Sequence, residues 1–105
     1  MAYYLYQCED ITDRDEAARI RREVLQDHLA HVERNIESYA VAGPNRDLDG
    51  AYRSSTFVIK AASLPQADGL MAKDPYVTAG LYQELRGVEF MPVAGAWVGG
   101  VAWKK

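Results

Sequence analysis

From residue 17 to about residue 36, apolar side chains recur every three or four positions with no proline or glycine between them. At roughly 100° per residue, Ile20, Val24, Leu25, His28, Leu29, Val32 and Ile36 share one broad face. Arg19, Arg22, Gln26, Glu33, Arg34 and Glu37 lie mostly away from it. The spacing predicts an amphipathic helix. Thr12 or Asp13 is its expected cap, the acidic Asp15 and Glu16 suit the first turn, and a kink or break is expected near Glu23.

The rest of the chain has other periods. Residues 2–8, 39–42 and 54–61 are dense in tyrosine, phenylalanine and β-branched side chains and are expected to be strands, the second closed by Gly43-Pro44. Residues 45–52 carry asparagine, aspartates and glycine without periodicity, which predicts a loop. Ser63-Leu64-Pro65 opens a second helix, with Ser63 as cap and Leu64, Ala67, Leu70 and Met71 as its apolar face. Asp74-Pro75 interrupts it, residues 76–81 add a turn, and residues 82–93 form the last strand. The order β-α-β-β-α-β predicts an α+β ferredoxin-like fold, a four-stranded antiparallel sheet with both helices on one face. The other face needs a cover, and for a chain this small a second copy is the economical one, giving a homodimer or a higher homo-oligomer. Trp97 and Trp103 suit that interface or packing within their own subunit.

Composition narrows the function. One domain fits 105 residues, and 49% apolar with 26% charged residues describes an ordinary globular chain. A net charge of -3 supplies no basic field for phosphates, which argues against nucleic-acid binding. No apolar run approaches a membrane span, and Met1 leads straight into Tyr3-Tyr4-Leu5-Tyr6 without the features of a signal peptide. The single cysteine, Cys8, fits a reducing cytoplasm and is expected to be a passive thiol. Gly43-Pro44 and Gly99-Gly100 make no phosphate-binding loop, and Ser54-Ser55-Thr56 lacks a nucleophile elbow, so neither a nucleotide cofactor nor serine hydrolysis is expected.

Both histidines fall within Asp27-His28-Leu29-Ala30-His31-Val32. His28 is in mid-stripe, where an imidazole that exchanges protons near neutral pH can act on a bound molecule. Asp74, at the interruption before Pro75, can aim a carboxylate inward to fix the tautomer of that imidazole. His31 lies at the stripe edge and is expected to be a surface or packing residue. The i, i+3 spacing of the two histidines lacks further ligands, so no metal site is expected. Arg19, Arg21 and Arg22 are expected to be a solvated face, one of them able to hold an anion at a pocket rim.

Together these pieces resemble the YciI-like (YCII-related) family of small bacterial proteins. The matching residues are the tyrosine-rich first strand, His28-Leu29-Ala30, Ala42-Gly43-Pro44, Ser55-Thr56, Ser63-Leu64 and Asp74-Pro75-Tyr76-Val77 with Ala79-Gly80-Leu81-Tyr82. They run in order over about residues 2–93, which makes the chain a single domain over 1–105 with residues 94–105 as an extension. The resemblance implies a dimeric ferredoxin-like fold with His28 and Asp74 as the acid–base pair and Ser55 and Gly43 lining the substrate pocket. It also implies proton-transfer chemistry without a cofactor, either isomerisation or elimination such as dehydrochlorination, on a small cyclic or carbonyl-containing molecule. Leu25 stands where many relatives carry an arginine; Arg21 and Arg22 lie nearly a turn further back. The alternative function is a non-catalytic ligand-binding or structural homo-oligomeric domain in which His28 and Asp74 are only a hydrogen-bonded pair.

Overall fold

The computed structural model describes residues 1–103, so Lys104 and Lys105 of the expected extension lie outside the described residues. Strands β1 (Ala2–Glu9), β2 (Tyr39–Arg46), β3 (Tyr52–Ala61) and β4 (Gly87–Phe90) form an antiparallel sheet in the order β2-β3-β1-β4. Helices α1 (Arg14–Glu23), α2 (Leu25–Arg34), α3 (Leu64–Ala72) and the single turn α4 (Pro75–Thr78) cover one face, giving the α+β ferredoxin-like arrangement. A short tail hairpin, β5 (Ala94–Gly95) and β6 (Gly100–Val101), follows. Among the described residues no helix is long and apolar enough to cross a membrane.

The core follows from the two-residue alternation of the central strands. Tyr4, Tyr6 and Cys8 of β1 and Phe57, Ile59 and Ala61 of β3 are buried together with Ala67 and Met71 of α3. A smaller cluster of Ala17, Ile20, Tyr76 and Leu81 joins α1 to α4. Tyr6 is wholly buried, and its hydroxyl donates to Asp68 of α3 at 2.6 Å. Opposite it in the register stands Gly87, where a Cβ would lie only 2.5 Å from Tyr6 Cζ, so β4 approaches β1 only because that residue is glycine.

The long helical pattern is two helices, and the reason for the break is local. Asp13 caps α1 by accepting from the Glu16 amide at 3.1 Å. A continuous helix would have the Arg21 carbonyl accept from the Leu25 amide. Instead that carbonyl accepts from the Tyr76 hydroxyl at 3.2 Å, and the chain turns at Val24. A side chain inserted into the hydrogen-bond ladder is a recognised cause of a kink.

Three strand limits differ from expectation. β2 runs through Gly43-Pro44 to Arg46 because it is an edge strand, where a proline need supply no donor. β3 accordingly starts at Tyr52 and leaves only residues 47–51 as the connecting loop, turned at Gly50 with φ +84°. The final strand is not 82–93 but Gly87–Phe90. Tyr82 makes a single bridge to Asp10, the chain leaves the sheet, and β4 ends where β1 runs out of partners past Tyr3. Trp97 and Trp103 are largely exposed among the described residues.

Candidate functional site

The site is built on Asp74-Pro75-Tyr76. Pro75 cannot continue α3 but suits the first position of a new turn, which leaves Asp74 as its cap, with Oδ1 accepting from the Tyr76 amide at 2.9 Å. Asp74 is wholly buried, so its remaining lone pairs need a donor. His28 supplies it: Nδ1 lies 2.8 Å from Oδ1 and 2.9 Å from Oδ2. The imidazole is stacked on Tyr76 with ring centroids 4.1 Å apart and meets Phe57 edge-on at 6.3 Å. A carboxylate only accepts, so this contact assigns the proton to Nδ1 and leaves the Nε2 lone pair free. Nε2 makes no hydrogen bond among the described residues and is not sealed in, the side chain keeping 13% exposure on a cleft of about 770 Å³.

That cleft lies between one face of α1–α2 and the β2–β3 hairpin. Its apolar walls include Leu25, Leu29, Val32, Pro44 and Phe57. Leu25 and Leu29 are each more than a third exposed; the apolar stripe therefore faces a cavity, not a filled core.

Ser55 also lines the cleft and is held by a polar network. Its Oγ accepts from the Tyr82 hydroxyl at 3.0 Å and from Arg21 at 3.2 Å, so its own proton is left to donate elsewhere. Arg21 forms a two-pronged pair with Asp10, at 2.8 and 2.7 Å. Burial works against the Arg21 charge, but the hydrogen bonds and charge of Asp10 outweigh it and hold the guanidinium above the usual arginine pKa. Burial likewise raises the phenols of Tyr82 and Tyr76, so both remain neutral donors at ordinary pH.

Cys8 is wholly buried, and burial together with the charges of Asp74 and Asp10 pushes its thiol up to about 11. Such a thiol is a packing group. It should resist Ellman's reagent at pH 8 until the protein is unfolded, and rapid native reaction would contradict its burial. The folded value lies above the reference of 9.0, so its stabilising contribution is complete below pH 9.0 and is lost as the pH rises to about 11. An unfolding-midpoint series over that range checks the sign.

Of the residues singled out in the sequence, His28, Asp74 and Ser55 line or support one cleft, and Gly43 contributes to its wall from β2, paired with Thr56. His31 is outside it: the ring is buried, edge-on to Tyr39 at 6.4 Å, with burial lowering its pKa. Of Arg19, Arg21 and Arg22, three of the four arginines of α1, Arg19 pairs with Glu16 and Glu23, and Arg21 is largely buried against Asp10 instead of lying on a solvated face; neither is a free anion holder. Asp10, Tyr82, Arg14 and the stacking role of Tyr76 were not legible as site residues. The spacing of Arg14, Ala18, Arg22 and Leu25 on the cleft face was the one signal that could have found Arg14.

No curated protein matches the chain. Among solved structures it is similar to 5-chloro-2-hydroxyhydroquinone dehydrochlorinase from Burkholderia phenoliruptrix, in complex with 2,5-dihydroxybenzoquinone. That match has a TM-score of 0.74 at 21% identity and covers 91% of this chain and 97% of the other, a likeness of fold. The model of the YCII-related domain matches residues 2–91, and the chain belongs to that family.

Proposed function

We propose that the cleft is an acid–base active site acting on a small cyclic or carbonyl-containing molecule, by elimination or isomerisation. The observation that carries this reading is the His28 ring, fixed through Nδ1 by a buried carboxylate and presenting an unpaired Nε2 to the cleft. In an elimination, Nε2 takes the proton, the released electron pair forms the new double bond, and the leaving group departs from the neighbouring atom. Asp74 stabilises the imidazolium so formed, and Ser55 donates to a substrate oxygen that gains charge. In an isomerisation, the same nitrogen returns the proton at another position. The family membership and the dehydrochlorinase with the same fold support this class of reaction.

The test is chloride release from 5-chloro-2-hydroxyhydroquinone, with wild type against His28→Ala. Loss of general-base catalysis should slow turnover by about 10²–10⁴-fold. Equal rates would sink the assignment.

We also propose that the functional unit is a homodimer closed over the helix-free face of the sheet. That face and the tail beside it leave Val41, Phe90, Trp97 and Val98 exposed around one depression. Sedimentation of a monomer at micromolar concentration would refute it.

A further inference from the structure

Among the described residues, the cleft lining contains four arginines, Arg14, Arg21, Arg22 and Arg53, and no carboxylate. Two of them are already neutralised, Arg21 by Asp10 and Arg53 by Asp47 and Asp49. Arg14 and Arg22 form no ion pair or side-chain hydrogen bond among the described residues. They stand at i and i+8 of α1, about 12 Å apart along the axis at the helical rise. Between them at i+4 is Ala18, whose single methyl leaves the slot open. A chain with net charge -3 thus places two cations, uncompensated among the described residues, on the wall of a largely apolar cleft. Low-dielectric walls concentrate such a field.

We infer that the cleft selects an organic anion: a small, flat molecule whose ring lies among Leu25, Leu29, Phe57 and Tyr76 and whose acidic group is held by Arg14 and Arg22. A carboxylate matches the planar fork of a guanidinium, and an apolar body matches the walls. This substrate class rests on the reading of the cleft as a substrate site, but the selection is independent of proton transfer at His28.

The experiment titrates the full-length protein with 4-hydroxybenzoate and with its neutral isostere 4-hydroxybenzamide, following amide shifts of cleft residues by NMR. Wild type should bind the anion about tenfold more tightly, since a charge-assisted pair is worth that much, and the preference should shrink with added salt. Arg14→Gln/Arg22→Gln should remove the preference. Arg19→Gln, whose partners lie on the exposed side of α1, should retain it, and so should His28→Asn, which separates anion selection from the acid–base reading. Equal binding of the two probes, a preference surviving in the double variant, or no shifts with the anion at millimolar concentration would each overturn the proposal.

Discussion

Asp74→Asn should lower turnover by about 10³–10⁴-fold while leaving the protein folded. The substitution keeps the size of the side chain and one oxygen to accept from the Tyr76 amide, the cap that starts α4. What it removes is the second acceptor and the charge facing His28 Nδ1. An amide nitrogen on that side offers protons where the imidazole also offers one. The ring then relieves the conflict by moving its proton to Nε2, and the nitrogen on the cleft becomes a donor incapable of taking a proton. The imidazolium formed during turnover also loses its counter-charge. Chloride release together with thermal unfolding separates the two effects: activity falls and the midpoint shifts little. Asp74→Ala is less informative, because it also deletes the cap, at a cost of about 1 kcal/mol. Full activity in Asp74→Asn would mean that the carboxylate only fastens α2 to α4.

The largest loss of stability is expected at Asp10. Asp10→Ala leaves the Arg21 guanidinium largely buried, stacked near Tyr52 and Tyr76 at 5.8 and 5.9 Å, without its counter-ion. Removing one partner of a buried pair costs about 3–5 kcal/mol, because the other charge stays desolvated. Replacing both, as Asp10→Ala/Arg21→Met, should recover most of that loss, since an apolar side chain of similar length has no charge to strand. Urea unfolding of the two single variants and the double variant closes the cycle. Activity should not recover with stability, because Ser55 has lost the Arg21 hydrogen bond that helps set its donor direction. A cost for Asp10→Ala under about 1 kcal/mol would show that water reaches the pair.

The elements were legible where local chemistry decides them. Asp13 and Ser63 cap as their positions suggested, and Pro75 forces the interruption that makes Asp74 a cap. The contact between His28 and Asp74 spans 46 residues with no local period to link them; the helix interruption before Pro75 and the ordered motifs were the two signals that suggested it. Two features limited the reading. An apolar stripe says which side chains share a face but not whether the facing volume is filled, and here Leu25 and Leu29 wall a cleft. A single helical wheel drawn across residues 17–36 also loses phase at Val24, where the Tyr76 hydroxyl takes the Arg21 carbonyl. That explains why His31, at the stripe edge, is the more buried histidine, and His28, at its centre, opens to the cleft. The Asp10–Arg21–Ser55–Tyr82 network joins a strand end, a helix, a second strand and a loop, and nothing short of the tertiary fold brings them together.

The central claim is that His28 offers a free basic nitrogen to whatever occupies the cleft while Asp74 holds the other. Nitrogen-15 NMR of the His28 ring, recorded with and without 2,5-dihydroxybenzoquinone, tests it directly. The predicted spectrum of the neutral ring has its proton on Nδ1, and the ligand shifts the Nε2 resonance while Nδ1 stays bonded to Asp74. A proton resident on Nε2, with neither nitrogen responding to the ligand, would contradict the account.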